Sequence, residues 1–161
     1  MLPVAQGTVL AQRELDATTE SSLAWSSSTV LSIGDGCLQM MVQELGTIIR
    51  HNLNVFIFLM KNSGYTIESC IHGLEQKYND VAPWRYLQTP GFFGAEEGTF
   101  TAAVRTFGEL QAALNDELLQ SSLVLRMVEV FTGREDAPTR PLTSLLENER
   151  MRLASQRGPS Y

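Results

Sequence analysis

The sequence predicts an α/β fold whose mostly parallel sheet carries helices on both faces. Strand-like and helix-like segments alternate in the order helix, strand, helix, strand, helix, helix, strand, helix. This order is typical of parallel strands joined by helical crossovers. Residues 55–60 read Val-Phe-Ile-Phe-Leu-Met, an apolar run without alternation that is typical of a strand buried on both faces.

Each element has its own local signal. Residues 4–17 are rich in helix formers, and Thr106 is a typical helix cap before a periodic apolar segment. Thr66 is likewise expected to cap a short helix that Gly73 closes. The predicted helices are 4–17, 37–51, 66–72, 107–119 and 142–156; the predicted strands are 29–33, 55–60 and 122–131; and 18–28, 74–100 and 136–141 are predicted loops.

Composition limits the classes of function. The chain has 161 residues and a formal net charge of -6, which argues against a nucleic-acid partner. No apolar run is long enough to span a bilayer, so no membrane partner is expected. The two cysteines, Cys37 and Cys70, lack metal-ligand spacing, and the N-terminus lacks the pattern of a secretory signal. A cytoplasmic protein with free thiols is the expectation.

The triplet Gly34-Asp35-Gly36 follows the first predicted strand and precedes a helix. Glycines let a backbone turn sharply and approach a ligand closely, and a helix start offers unpaired N–H groups to an anion. A carboxylate beside bound phosphate needs a cation between them, and Mg²⁺ suits this role. By itself the triplet is also consistent with a plain turn.

A second polar turn, 61–64, follows the strand at 55–60. If the two strands are parallel neighbours, Asp35 and Asn62 both follow strand ends at the edge where open α/β sheets bind ligands. The Asp35 carboxylate, the Asn62 amide oxygen and the Gly64 carbonyl would offer three hard oxygens to Mg²⁺. Two diphosphate oxygens and one water would complete an octahedron.

The stretch that opens at Gly34 and closes at Asn62, 29 positions inclusive (62 − 34 + 1), resembles the diphosphate-binding motif of thiamine-diphosphate enzymes. The similarity continues through Asn62-Ser63-Gly64-Tyr65-Thr66-Ile67-Glu68 and Ile71-His72-Gly73. These segments look like the C-terminal domain of pyruvate and indolepyruvate decarboxylases, and the fungal branch fits best. The similarity covers about residues 3–132.

The resemblance implies thiamine diphosphate and Mg²⁺ as cofactors and a set of residues that hold them. It implies metal ligation by Asp35, Asn62 and the Gly64 carbonyl, and it implies Glu68 as the acid/base residue beside the substrate carboxylate. A partly desolvated Glu68 suits proton transfer, although a first-turn glutamate is also favoured by the helix dipole alone. The implied cofactor-binding residues are Gly34, Asp35, Gly36, Cys37, Asn62, Gly64, Tyr65, Thr66 and Ile67.

The chain departs from the family pattern in two ways. Cys37 stands where Ser is usual, and Lys61 stands where the first of two Asn is usual; Lys61 would either neutralise diphosphate or point into solvent. Full-length relatives have three domains, so this chain is expected to be an incomplete, truncated form of the third. We expect a partial diphosphate- and Mg-binding domain at 1–134 and a C-terminal loop, helix and tail at 135–161.

The implied activity is non-oxidative decarboxylation of a 2-oxo acid, which releases CO₂ and an aldehyde. Because the pyrimidine-binding half is missing, activity would require a homologous or full-length decarboxylase subunit as partner, and the chain alone is not expected to be active. The alternative is a truncated, non-catalytic paralogue or fragment that keeps the fold and binds a full-length relative or nothing.

Overall fold

The computed structural model describes residues 1–18, 28–136 and 142–156. They form two compact units. The first comprises Met1–Lys61 and Trp84–Phe131, and the second comprises Asn62–Pro83 and Thr132–Tyr161. Each unit is described separately below, and the domain boundary expected between residues 134 and 135 stays a prediction.

The first unit is built on a four-stranded sheet in the order β1-β2-β4-β3. All three pairings are parallel, which confirms the predicted fold class. The register places Gly34 opposite Met60, so β1 and β2 reach the carboxyl edge of the sheet at the same level. The strands are β1 (Thr29–Gly34), β2 (Val55–Lys61), β3 (Thr101–Val104) and β4 (Arg126–Phe131).

Helices cover both faces of this sheet. Successive strand side chains point to opposite sides, and apolar side chains on each side must be buried. Ile57 and Leu59 belong to one buried cluster with residues of α1, α2 and α3. Phe56 and Val128 belong to a second cluster with residues of α6 and α7. The helices in chain order are α1 (Leu2–Thr18), α2 (Asp35–Gln39), α3 (Glu44–Arg50), α4 (Thr66–His72), α5 (Thr89–Phe92), α6 (Phe107–Leu114), α7 (Glu117–Ser121) and α8 (Leu142–Gln156).

The single helix predicted at 37–51 is wrong in detail: it is two helices, and the first begins at Asp35. Tight i→i−3 hydrogen bonds form the turn between them, as in the Met41 N–H to Leu38 carbonyl bond of 3.1 Å. The turn keeps Leu38 and Leu45 fully buried in the same cluster. The apolar pattern therefore runs on through the break, and so the sequence suggested one helix.

The strand β3 was not predicted. Its two central residues are Ala102 and Ala103, which carry little β-propensity, and its four residues pair with β4 alone. The helix predicted at 107–119 is also divided, because the Asp116 side chain accepts the Leu118 N–H at 2.8 Å and begins a new helix, α7. Thr106 caps α6 as predicted, in a capping box with Glu109.

Other boundaries differ by a few residues. The strand predicted at 122–131 begins at Arg126, and the loop predicted at 74–100 contains α5 and two short 3₁₀ turns, Lys77–Asn79 and Tyr86–Gln88. The predicted helices at 4–17 and 142–156 are confirmed as α1 and α8. The loops predicted at 18–28 and 136–141 lie largely outside the described residues.

In the second unit α4 packs against α8. Cys70 of α4 and Leu146 of α8 are buried there. Gly73 ends α4 with a φ of 119°, a conformation that favours glycine. Across the described residues of both units, none of the helices has the length and hydropathy needed to cross a membrane.

Candidate metal and cofactor site

Asp35 is the first residue of α2 and is buried, with 2% of its surface exposed. Its Oδ1 accepts the Gly36 N–H at 2.9 Å, the usual preference of a carboxylate at a helix start. Gly34, the N-cap, has φ −76° and ψ 156°, an ordinary extended backbone. The sharp turn expected of this glycine is therefore absent, and what its missing side chain provides is room, since a Cβ would meet no heavy atom within 4 Å.

Lys61, the unusual residue of the motif, is held inside the first unit. Its Nζ lies 2.7 Å from Oε1 of Glu129 on the neighbouring strand β4, and the two side chains are only 18% and 8% exposed. Oε1 has no hydrogen-bond partner among the described residues. The contact is an ion pair, and the Lys61 charge is compensated within the sheet.

Aromatic rings complete the Lys61 environment. Nζ lies 4.8 Å from the Phe131 ring centroid and 5.4 Å from that of Tyr86. The Tyr86 hydroxyl in turn accepts a hydrogen bond of 2.7 Å from Nε2 of Gln39, the last residue of α2. A continuous set of contacts therefore joins the end of β2 to the helix that begins with Asp35.

The second half of the motif belongs to the second unit. The Asn62 side chain makes two hydrogen bonds within its own turn: Oδ1 accepts the Gly64 N–H at 3.3 Å, and Nδ2 donates to Oγ1 of Thr66 at 2.7 Å. Ser63, between them, has a left-handed φ of 61°. The Asn62 amide is thus fixed at both ends.

A neighbouring segment holds this turn in place. Tyr65 N–H donates to the Asn79 carbonyl at 2.9 Å, and Val81 N–H donates to the Ser63 carbonyl at 3.2 Å. Between these bonds lies buried Gly64, where a Cβ would come within 3.3 Å of the Asn79 carbonyl oxygen and of the Arg134 Cζ. A side chain at position 64 would therefore be tightly packed against these neighbours, which glycine avoids.

Arg134 is a further residue that contacts this turn. Its guanidinium forms an ion pair with Asp80, and both side chains are partly exposed. Its carbonyl accepts the Thr66 hydroxyl at 3.0 Å. No sequence pattern marked this residue, because its contacts to Thr66 and Gly64 span about seventy positions.

The start of α4 differs from expectation. Thr66 is not the cap: the N-cap is Tyr65, without a side-chain hydrogen bond, and Thr66 is the first helical residue. Glu68 lies in the first turn and is exposed, as is Ile67. Contrary to expectation, Glu68 is therefore not partly desolvated in this chain, but it does occupy the first-turn position that the helix dipole favours.

Cys70 lies further along the same helix. Burial raises the pKa of its thiol, and the nearby Glu135 and Glu149 carboxylates raise it further.

The three predicted ligands are hard oxygen donors, the kind that magnesium binds. Among the described residues no group of three or more His, Cys, Asp or Glu side chains could hold a metal ion. Asp35 offers a buried carboxylate in one unit; Asn62 offers an amide oxygen, and Gly64 a buried carbonyl, in the other. Hard oxygens of this kind, with few protein carboxylates, are what Mg²⁺ takes when phosphate supplies the rest.

Residues 1–126 match the family model of the thiamine pyrophosphate enzyme C-terminal TPP binding domain. The chain belongs to this family. It is similar to pyruvate decarboxylases, as the sequence analysis predicted.

Among curated relatives, it is 52% identical over 160 residues to a pyruvate decarboxylase of Aspergillus parasiticus, a match that covers 97% of this chain and 28% of the relative. A pyruvate decarboxylase of Aspergillus terreus is 40% identical over 133 residues, with 83% and 22% covered. The chain thus spans about a quarter of the length of these relatives.

A solved structure supports the fold. The X-ray structure of a thiamin diphosphate-dependent enzyme candidate from Mycobacterium smegmatis superposes with a TM-score of 0.60 at 22% identity, covering 82% of this chain and 21% of that one. At this identity the likeness concerns the fold alone. It agrees with the parallel sheet described above.

Proposed function

We propose that this chain supplies the magnesium and diphosphate half of a thiamine-diphosphate site, in a non-oxidative 2-oxo acid decarboxylase completed by a homologous subunit. The observation that carries the proposal is the parallel register of β1 and β2. Gly34 lies opposite Met60, so Asp35 and Lys61 continue from the two strands at the same level, and Asn62 follows Lys61 in the chain.

In this proposal the ligands of Mg²⁺ are Asp35, Asn62 and the Gly64 carbonyl. Gly34 and Gly36 leave space for phosphate beside the strand end, and Cys37, Tyr65, Thr66 and Ile67 complete the cofactor-binding set. When bound, thiamine diphosphate would supply the electron sink for loss of CO₂ from the 2-oxo acid. The Glu68 carboxyl would give or take a proton beside the substrate carboxylate.

The ion pair of Lys61 refines the proposal. A lysine that replaces the usual asparagine was expected either to meet diphosphate or to face solvent, and here its charge is opposed by Glu129 at 2.7 Å. We therefore assign Lys61 no phosphate contact. The proposed charge balance at the metal rests on the Asp35 carboxylate and on Mg²⁺.

Exposure of Glu68 suits dependence on a partner. Glu68 is exposed in the isolated chain. A partner subunit that covers α4 would desolvate it and favour proton transfer. The cytoplasmic location predicted from composition stays part of this proposal.

Isothermal titration calorimetry tests the proposal. Thiamine diphosphate is titrated, at saturating Mg²⁺, into the chain alone and into the chain mixed with a full-length pyruvate decarboxylase, with Asp35→Asn as the matched control. We expect heat from the chain alone, or heat from the mixture in excess of that from the full-length decarboxylase alone, and we expect it to depend on Mg²⁺ and to be lost in the control. No heat from the chain alone, together with no excess heat from the mixture, would refute cofactor binding and leave the non-catalytic paralogue as the better account.

A further inference from the structure

We infer that Thr66 is a positioning residue that selects which end of the Asn62 amide faces the metal. The inference rests on the proposed function, since it concerns the proposed metal ligand. It starts from the two hydrogen bonds of the Thr66 hydroxyl in the second unit. One is to the Arg134 carbonyl at 3.0 Å and the other is to Nδ2 of Asn62 at 2.7 Å.

The direction of these bonds follows from the available hydrogens. A threonine hydroxyl has one hydrogen to donate, and a backbone carbonyl can only accept. The Thr66 hydrogen is therefore committed to Arg134, and toward Asn62 the hydroxyl oxygen has only lone pairs. Only the NH₂ end of the Asn62 amide can satisfy them.

The other end of the amide gives the same assignment. The Gly64 N–H lies 3.3 Å from the Asn62 side chain and can only donate, so it requires the amide oxygen on its side. Amide orientation in a structure has to be assigned from such partners. Here two independent partners agree. A flipped amide would place its NH₂ group against the Gly64 N–H and its oxygen against the lone pairs of the Thr66 hydroxyl.

The consequence concerns the metal. Mg²⁺ binds the oxygen of an asparagine amide and not the nitrogen. An oxygen that accepts one N–H retains a second lone pair, so Oδ1 stays competent to bind a cation. By fixing Nδ2, Thr66 keeps Oδ1 at the Gly64 N–H, and Gly64 is the residue whose carbonyl is the next proposed ligand.

The Arg134 side chain contacts the same turn as its carbonyl does. The Arg134 guanidinium pairs with Asp80, and Asp80 forms an antiparallel bridge with Gly64. The same guanidinium lies against Gly64, within 3.3 Å of the position of a Cβ. The acceptor that orients Thr66 is thus anchored to the turn that Thr66 serves.

The test compares Thr66→Val with Thr66→Ser by calorimetry on the full chain mixed with a full-length pyruvate decarboxylase. The measured quantity is the ratio of thiamine diphosphate dissociation constants without and with Mg²⁺, after subtraction of the heat measured with the full-length decarboxylase alone. Removal of groups that orient metal ligands typically costs about 10-fold to 100-fold in affinity. We expect a loss of about 10-fold in this ratio for Thr66→Val, and recovery in Thr66→Ser, which keeps the hydroxyl.

An Asn62→Asp background separates orientation from structure. A carboxylate has two equivalent oxygens, so no orienting partner is needed, and there Thr66→Val is expected to change the ratio less than about 2-fold. An equal loss in both backgrounds, accompanied by a lower urea midpoint, would show a structural role and overturn the inference. If wild type binds with Mg²⁺ and Thr66→Val binds equally well, the inference alone fails. If thiamine diphosphate binding to the wild type does not depend on Mg²⁺, both the proposed function and this inference are wrong.

Discussion

The Lys61 ammonium and the Glu129 carboxylate form a largely buried ion pair between neighbouring parallel strands, with Nζ and Oε1 2.7 Å apart. The two residues are diagonal neighbours, since Lys61 is opposite Phe131 and Glu129 is opposite Leu59 in the register. Ion pairs in this position hold two charges out of water and are sensitive to loss of one partner.

Single substitution of either partner is expected to destabilise the chain. Lys61→Gln or Glu129→Gln leaves one charge buried and uncompensated, at a cost of about 3 kcal/mol in the free energy of unfolding. The double variant should recover most of this loss, because no lone charge remains. Urea unfolding measures all three, and Lys77→Gln, at an exposed lysine, is the control. Additive losses in the double variant would contradict the coupling.

Loss of the buried Arg126 guanidinium is also expected to lower the free energy of unfolding. It is 5% exposed, and its guanidinium donates to the Ser28 hydroxyl, the Asn54 side-chain oxygen and the Leu119 carbonyl. Burial lowers the pKa of this guanidinium. Arg126→Met should cost about 2 kcal/mol, because buried acceptors lose their donor.

Arg126→Lys is the informative companion variant. It keeps the charge but cannot reach three acceptors with a planar fork, so we expect an intermediate loss in urea unfolding. Wild-type stability in Arg126→Met would show that these hydrogen bonds contribute little.

The capping box of α6 predicts a response to acid. Glu109 Oε2 accepts the Arg105 N–H at 2.6 Å and the Thr106 N–H at 3.1 Å. These bonds, the Arg105 one first, lower the pKa of Glu109 below its ordinary value of 4.5. The stabilisation by Glu109 is therefore present above that value and lost as pH falls below it.

Glu109→Gln should then show a flatter dependence of stability on pH below about 4.5 than wild type. Thr106→Ala removes the other half of the box and should cost about 1 kcal/mol at neutral pH, with Thr106→Ser close to wild type. Thermal unfolding at several pH values measures both effects. Parallel pH curves for Glu109→Gln and wild type would exclude the assigned role.

The two cysteines should react at different rates. Cys37 is exposed in α2, whereas Cys70 is buried and its pKa is raised, first by burial and then by Glu135 and Glu149. Because the thiolate is the nucleophile, iodoacetamide at neutral pH should label Cys37 quickly and Cys70 slowly. Mass spectrometry of peptides reads both sites.

The same labelling reports on the proposed cofactor. Magnesium with thiamine diphosphate should slow alkylation of Cys37, which follows Gly36 directly, and leave Cys70 unchanged; Cys37→Ser should abolish the fast phase. Equal rates with and without cofactor, in a sample that binds it by calorimetry, would place the diphosphate away from α2.

Local signals in the sequence predicted part of this structure. The apolar run at 55–60 and the Thr106 cap gave β2 and α6 because their causes lie within a few residues. The alanines of β3 carried no such signal, since pairing with β4 determines that strand. Glu129 in β4 was not singled out from the sequence, because only the register of β2 and β4 shows that it meets Lys61.

The residues of the candidate site could be predicted from the sequence, but the contacts that hold them could not. Asp35, Asn62 and Gly64 could be named from their motif and resemblance, whereas the contacts that hold the Asn62 turn come from residues far along the chain. Arg134 and Asp80 are examples, because their positions depend on tertiary packing and have no spacing that a motif could record.

The first unit is interrupted in sequence, with Lys61 ending its first piece and Trp84 beginning its second. Strand β2 therefore pairs with β4, which lies far along the chain. Closing a longer loop costs little extra, about 0.6 kcal/mol for each doubling of its length. A change in the length of the chain between β2 and β4 is consequently expected to cost the pairing of these two strands little.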